Sequence, residues 1–311
     1  MKIGLVFPGQ GSQFIGMGSD FARNFTSANQ VFTNLDDILG RKLSKLIFEG
    51  GLPELSLTTN SQPAIMASSV AILESIKENQ LLNFGNVTAV AGHSLGEYSA
   101  LVAAESLSFK SAVELLNIRS KAMQDSMPIG TGGMAAVIGK SMNEIVEILP
   151  ELREQGRVYI ANDNANGQIV LSGDLKSIKF LCENSKKFGI KRALELPVSA
   201  PFHCELIKSA SQKLKSAIDE YSFNKFQFDF YSNVTSKQCS HIEIKKLLVE
   251  QVVSRVRWRE SVENMIKNNI SCFIEIGPGN ILTNLIKRID KNVMAITISK
   301  VEDLDKLKTI G

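Results

Sequence analysis

The pentapeptide Gly92-His93-Ser94-Leu95-Gly96 constrains this chain more than any other stretch, because of what stands on either side of it. Residues 87–91 read as a buried strand and residues 97–104 as the start of a helix, which leaves a tight turn at 92–95. A serine at the point of a strand–turn–helix is displayed to a reactant, and flanking glycines allow a turn that bulkier residues resist. The helix that follows aims its unpaired N–H groups at any oxyanion formed beside the serine. Ser94 is therefore the candidate nucleophile. The plain alternative is a serine N-cap on a buried helix.

Short β-branched runs alternate with amphipathic stretches along the rest of the chain, the pattern of an α/β fold. Strands are expected at 3–7 and 272–276. Helices are expected at 63–77, with Pro63 near its first turn, at 111–124 and at 281–288. The middle differs: strand 135–138, helix 142–154, strands 157–161 and 168–172, helix 175–188 and strand 191–196. That order, β-α-β-β-α-β, is the ferredoxin-like arrangement. Gly130-Thr131-Gly132-Gly133 before it and Pro197 after it are hinge signals. The expected organisation is a catalytic body of residues 1–128 and 198–311 with a small subdomain, residues 129–197, inserted.

A serine nucleophile needs a base, and the chain has three histidines. His93 adjoins Ser94, and neighbours on a tight turn point apart, so it reads as structural. His241 sits in the polar segment Ser240-His241-Ile242-Glu243. His203, in Ala200-Pro201-Phe202-His203-Cys204, remains as the candidate base. On the 111–124 helix, Ala112, Leu115, Leu116, Arg119, Ala122 and Met123 share one face, so Arg119 interrupts an apolar stripe. A guanidinium turned inward must meet an anion. The spacing leaves two readings open, an ion pair with Asp or Glu and a clamp on a substrate carboxylate. The loop Gly9-Gln10-Gly11-Ser12-Gln13 lacks the spacing of a phosphate loop, but a loop in that place can donate a backbone N–H to an oxyanion.

Composition narrows the class. A net charge of +3 gives no argument for nucleic acid. The four cysteines have no paired spacing, so no metal site or disulfide framework is expected, and a reducing compartment fits. No stretch has the length of a secretory leader core or a membrane span. A cytoplasmic enzyme is expected.

Taken together, Phe7-Pro8-Gly9-Gln10-Gly11-Ser12-Gln13, Gly92-His93-Ser94-Leu95-Gly96-Glu97-Tyr98-Ser99, Arg119, Pro201-Phe202-His203-Cys204 and Ile276-Gly277-Pro278-Gly279 resemble the malonyl-CoA:acyl-carrier-protein transacylases of fatty-acid synthesis. The likeness runs in order over nearly the whole chain. It implies an α/β-hydrolase-like body with a parallel sheet and a ferredoxin-like insert. It also implies that Ser94 takes malonyl from malonyl-CoA and passes it to the phosphopantetheine thiol of acyl carrier protein, with no bound cofactor or metal. His203 is then base and acid, and Arg119 binds the malonyl carboxylate. Backbone N–H groups of Gln10 and Leu95 form the oxyanion hole, and the backbone carbonyl of Gln251 orients the histidine. Phe202 beside His203 looks like the malonyl-preferring form of that motif. Ser120 departs from the family, where glycine often follows the arginine. Val252 to Trp258 follows the family pattern but reads as a packed, partly basic helix end, and Arg255 and Lys121 are basic residues available to an acidic carrier. A monomer is expected. The alternatives are a discrete acyltransferase of a polyketide pathway, which shares every one of these residues, and a serine thioesterase or other hydrolase.

Overall fold

The apolar runs around residues 3–7, 87–91 and 272–276 lie side by side in the computed structural model, which describes residues 1–198 and 200–310. The strands in chain order are β1 (Lys2–Phe7), β2 (Val87–Gly92), β3 (Gly132–Ile138), β4 (Val158–Ala165), β5 (Gln168–Asp174), β6 (Arg192–Glu195), β7 (Asp229–Tyr231), β8 (Gln238–Cys239), β9 (Ile270–Ile276) and β10 (Met294–Ile298). They form a larger sheet in the order β10-β9-β1-β2-β7-β8 and a smaller one in the order β4-β5-β3-β6.

In the larger sheet β1 pairs in parallel with both β2 and β9, β9 with β10, and β2 with β7. Only β8 runs antiparallel, at one edge. Parallel strands joined through helices are covered on both faces and read as continuous apolar runs. The period of two then separates two cores. Leu5, Phe7, Ile274 and Ile276 face the main core, which includes the Thr58–Glu78 helix. Val6, Ala89, Ala91 and Phe273 face a second core with Trp258, Met265 and Leu285.

The Thr58–Glu78 helix begins five residues earlier than its proline suggests, so Pro63 lies inside it. Proline has no N–H, which leaves the carbonyl of Thr59 without its helical donor. Arg41 Nη2 supplies one at 3.2 Å. That contact comes from another segment and has no local sequence signal.

The strands of the smaller sheet are all antiparallel to their neighbours. One face, with Ala135, Val137, Val158 and Leu171, packs on the Met142–Arg153 and Leu175–Glu183 helices. A capping box of Ser141 and Glu144 starts the first of these. The second stops at Glu183 rather than 188, and Phe188 and Ile190 fold back onto the same core. β3 begins at Gly132, three residues before the expected strand. Gly132 therefore belongs to the strand rather than a hinge, and a Cβ there would lie 2.4 Å from the Pro201 ring.

The small sheet also touches the body away from its chain connections. Val256 forms a parallel bridge with β4, its N–H donating to Ala161 O at 2.8 Å and its carbonyl accepting from Asp163 N at 2.9 Å. Arg259 reinforces it with an ion pair to Asp163 at 2.7 Å. Residues 252–257 thus run as a strap between the two sheets, from the cap of the Ile244–Gln251 helix at Val252 to the Trp258–Lys267 helix, so the helix-end reading holds only for the two ends of the stretch. Among the described residues, no helix is long and apolar enough to cross a membrane.

Candidate active site

β2 ends at Gly92 and the Gly96–Ala103 helix starts four residues later, so Ser94 sits at the point of the turn with φ of 53°. The left-handed strain falls on the serine, not on the glycines. The glycines serve close approach instead: a Cβ on Gly92 would lie 1.9 Å from Gly96 C, and one on Gly96 would lie 2.2 Å from Phe7 O. The turn is pressed against the end of β1, whose Phe7 carbonyl also accepts from His93 N at 3.0 Å. Gly92→Ala is therefore expected to lower stability by roughly 3 kcal/mol or more, because backbone rather than a movable side chain stands in the way. Urea denaturation measures this; a loss below about 1 kcal/mol removes the close-approach explanation.

Ser94 Oγ lies 2.8 Å from His203 Nε2. His203 Nδ1 lies 2.9 Å from the backbone carbonyl of Gln251. A carbonyl only accepts, so Nδ1 carries the proton and Nε2 is left to accept from the serine hydroxyl. Burial, and then the positive charge of Arg119, push the His203 pKa down to about 3, so the imidazole is neutral at ordinary pH. Asp163 and Asp174, two of the three aspartates between Ser94 and His203 in sequence, pair with Arg259 and Arg157. No carboxylate supports the histidine among the described residues.

Arg119 is 1% exposed, and no ion pair of the described residues includes it. Nη1 donates to Gln62 Oε1 at 2.7 Å, and Nη2 donates to Gln251 Oε1 at 2.8 Å and Ser94 Oγ at 3.0 Å. Its Nε is buried without an acceptor. Neutral amides and the serine hydroxyl thus hold a cation that no carboxylate of the described residues contacts directly; Glu97 acts on it at one remove, by its charge and through the Gln251 amide. Of the two readings left open by the sequence, the ion pair is not the one found.

A cavity of about 320 Å³ opens over these atoms, lined by Gln10, Gln62, Ser94, His203 and Phe202 from the body and by Met134, Ala136 and Val170 from the small sheet. The face of β3 turned away from its helices forms that wall. The backbone N–H groups of Gln10 and Leu95 meet no acceptor among the described residues. His93 does not bond to Ser94. Its Nε2 lies 2.8 Å from Asn164 Oδ1, its ring is tilted against Trp258, and loss of solvent lowers its pKa. His241 lies against Phe226, away from this cluster. Lys121 is exposed on the outer side of its helix, and Arg255 pairs with Glu260.

Three side chains of the cluster are given no role by the sequence reading: Gln62, Glu97 and Asn233. Asn233 spans the turn, its Nδ2 donating to Gly92 O at 2.7 Å and its Oδ1 accepting from Ser94 N at 2.8 Å. Glu97 is fully buried; desolvation raises its pKa, while donors on both of its oxygens, from the Asn233 backbone and the Gln251 amide, and the charge of Arg119 act the other way and favour the carboxylate. The one available signal was Glu97 itself, an acid at the head of the apolar run Tyr98-Ser99-Ala100-Leu101.

A family model described as acyl transferase domain matches residues 5–308. The malonyl CoA-acyl carrier protein transacylase of Bacillus subtilis (strain 168) is 42% identical over 306 residues, covering 98% of this chain and 95% of that protein. The protein of the same name from Haemophilus influenzae is 38% identical over 310 residues, covering 99% and 98%. Among solved structures, an acyl-carrier-protein-S-malonyltransferase from Bartonella henselae superposes with a TM-score of 0.95 at 43% identity, over 100% of this chain and 99% of that one. A malonyl-transacylase in complex with its type II PKS acyl-carrier protein gives 0.95 at 37% identity, over 100% of both chains.

Proposed function

This chain belongs to the acyl transferase family and is an acyltransferase, and we propose that it moves malonyl from malonyl-CoA to the phosphopantetheine thiol of acyl carrier protein through an ester on Ser94. The observation that carries this reading is Arg119, a buried cation that reaches the nucleophile, keeps its Nε without an acceptor and touches no carboxylate of the described residues. An acyl group ending in a carboxylate supplies one beside Ser94 Oγ, and a bidentate contact fixes its orientation.

In the first half-reaction, His203 Nε2 takes the proton of Ser94 Oγ as the oxygen attacks the thioester carbonyl. The oxyanion forms opposite the N–H groups of Gln10 and Leu95. On collapse the C–S bond breaks, and the imidazolium returns its proton to the departing CoA sulfur. The Gln251 carbonyl holds Nδ1–H throughout, in the place that a carboxylate takes in a Ser-His-Asp triad. The second half-reaction reverses these steps with the carrier thiol as attacking group. The architecture that goes with this reading is an α/β-hydrolase-like body of residues 1–128 and 198–311 with a ferredoxin-like subdomain at 129–197. A cytoplasmic, monomeric enzyme that supplies fatty-acid synthesis fits it.

Intact-mass measurement tests the proposal. Malonyl-CoA is expected to add one malonyl group to the protein, and holo acyl carrier protein is expected to remove it while becoming malonylated. Release of the label to water at the same rate with and without carrier would make the enzyme a hydrolase instead.

A further inference from the structure

Glu97 is a carboxylic acid shut away from water, three residues after Ser94, and no step of the transfer uses it. Each of its oxygens accepts from a nitrogen: Oε1 from the Asn233 backbone N–H at 2.5 Å, and Oε2 from Gln251 Nε2 at 2.6 Å. A backbone N–H can only donate, so Oε1 is committed as an acceptor. A side-chain amide can present either end, so what Gln251 shows to Arg119 depends on what meets its other end. There Glu97 Oε2 and the Ser94 carbonyl, at 2.9 Å, take both amide hydrogens. The amide oxygen is left facing Arg119 Nη2 at 2.8 Å, and that same nitrogen donates to Ser94 Oγ. A polarised chain of hydrogen bonds runs from the Asn233 backbone through Glu97 and Gln251 to the guanidinium on the nucleophile.

We infer that Glu97 is a positioning residue of this enzyme: by accepting from the Gln251 amide it turns that amide's oxygen toward Arg119, and so sets where the guanidinium waits for the acyl carboxylate. The inference rests on the reading of Arg119 as the carboxylate-binding residue. Asn233 makes the arrangement self-consistent, since its backbone fixes the polarity of Glu97 while its side chain braces the turn that carries Ser94.

Glu97→Gln separates this role from mere packing. It keeps the size of the side chain but sets an NH₂ group against one of two donors, whichever way the new amide points. Gln251 must then turn over, presenting its NH₂ to Arg119, or give up a bond. The expected result is a roughly 10- to 100-fold slower formation of the malonyl ester from malonyl-CoA, with acetyl ester formation from acetyl-CoA little changed. Equal losses with the two donors, or no loss with either, overturn the inference. Gln251→Met provides a second arm, because it keeps the backbone carbonyl on His203 and removes the amide. Adding Glu97→Gln to Gln251→Met is expected to slow malonyl transfer no further, since the effect travels through that amide; losses that multiply overturn it. If Glu97→Gln gives no folded protein, Gln251→Met alone decides by the ratio of the malonyl loss to the acetyl loss, since its lost bond to the Ser94 carbonyl slows both donors alike; a ratio of one overturns the inference. The parent protein is measured alongside. A parent that forms no malonyl ester sinks the proposed function and this inference with it, whereas an active parent with equal losses in the variants sinks the inference alone.

Discussion

Incubated with malonyl-CoA, Ser94→Ala protein is expected to stay at its unmodified mass and to lose at least about 10⁴-fold in transfer rate. The size of the effect follows from what the hydroxyl does. It is at once the donor to His203 Nε2 and the acceptor from Arg119 Nη2, so its removal takes away the bond-forming atom and leaves both partners facing a methyl group. Alanine fits the space, but the left-handed φ of 53° remains, so the fold should lose little. A thermal melt run beside the mass measurement separates loss of chemistry from loss of structure. A variant that still accumulates a malonyl ester would place the nucleophile elsewhere.

The second large effect concerns selectivity. Arg119→Ala is expected to slow malonyl ester formation by roughly 10²- to 10³-fold, the range for a desolvated charge pair that loses one member. Acetyl transfer should be spared or improved, because a neutral acyl group has no carboxylate to pair. Competition between the two thioesters in one mixture measures the ratio directly; equal losses point to a structural arginine. The same variant should also move the acid limb of the rate profile. His203 must be neutral to accept the serine proton. Burial and then Arg119 hold its pKa down near 3, so the parent keeps its base in acid. Without the arginine one of those causes is gone, the pKa rises toward the ordinary histidine value, and rate is lost at higher pH than in the parent. Acetyl-CoA is the donor of choice here, since it has no carboxylate of its own to titrate. An unmoved acid limb would mean that Arg119 does not act on the histidine.

Much of this site can be read from the sequence because its chemistry rides on local patterns. The turn at Ser94 is a strand, two glycines and a helix within about twenty residues. Arg119 shows itself by breaking an apolar face, and His203 by the scarcity of histidines. The partners that complete the cluster leave no such trace. Gln62, Glu97, Asn233 and Gln251 are ordinary polar residues until the sheet brings them together, and the bonds that join them span 57 to 157 positions of sequence. Even Gln251, known in advance through the resemblance, was assigned only its backbone carbonyl; its side chain carries three further bonds. The strands follow the same rule. β1, β2 and β9 are buried on both faces and announce themselves as apolar runs, whereas β7 and β8, three and two residues long, are too short for any period to register. The start of the Thr58–Glu78 helix moved past its proline because a distant side chain, Arg41, supplies the bond that the carbonyl of Thr59 lacks.

The place of β1 in the sheet has a consequence for how an active molecule comes into being. Ser94, Arg119, His203 and Gln251 have all been synthesised once the ribosome passes residue 251, yet β1, against which the Ser94 turn is pressed, still lacks one neighbour. That neighbour is β9, residues 270–276, which contributes nothing to the cluster itself. Until it emerges, one side of β1 is an open row of backbone donors and acceptors, prone to pairing with another chain. Competence is therefore expected only late in translation, once β9 has paired with β1. A nascent chain stalled before Ile270 is expected to carry every catalytic side chain without a working site, which an activity assay of a chain ending at residue 269 checks.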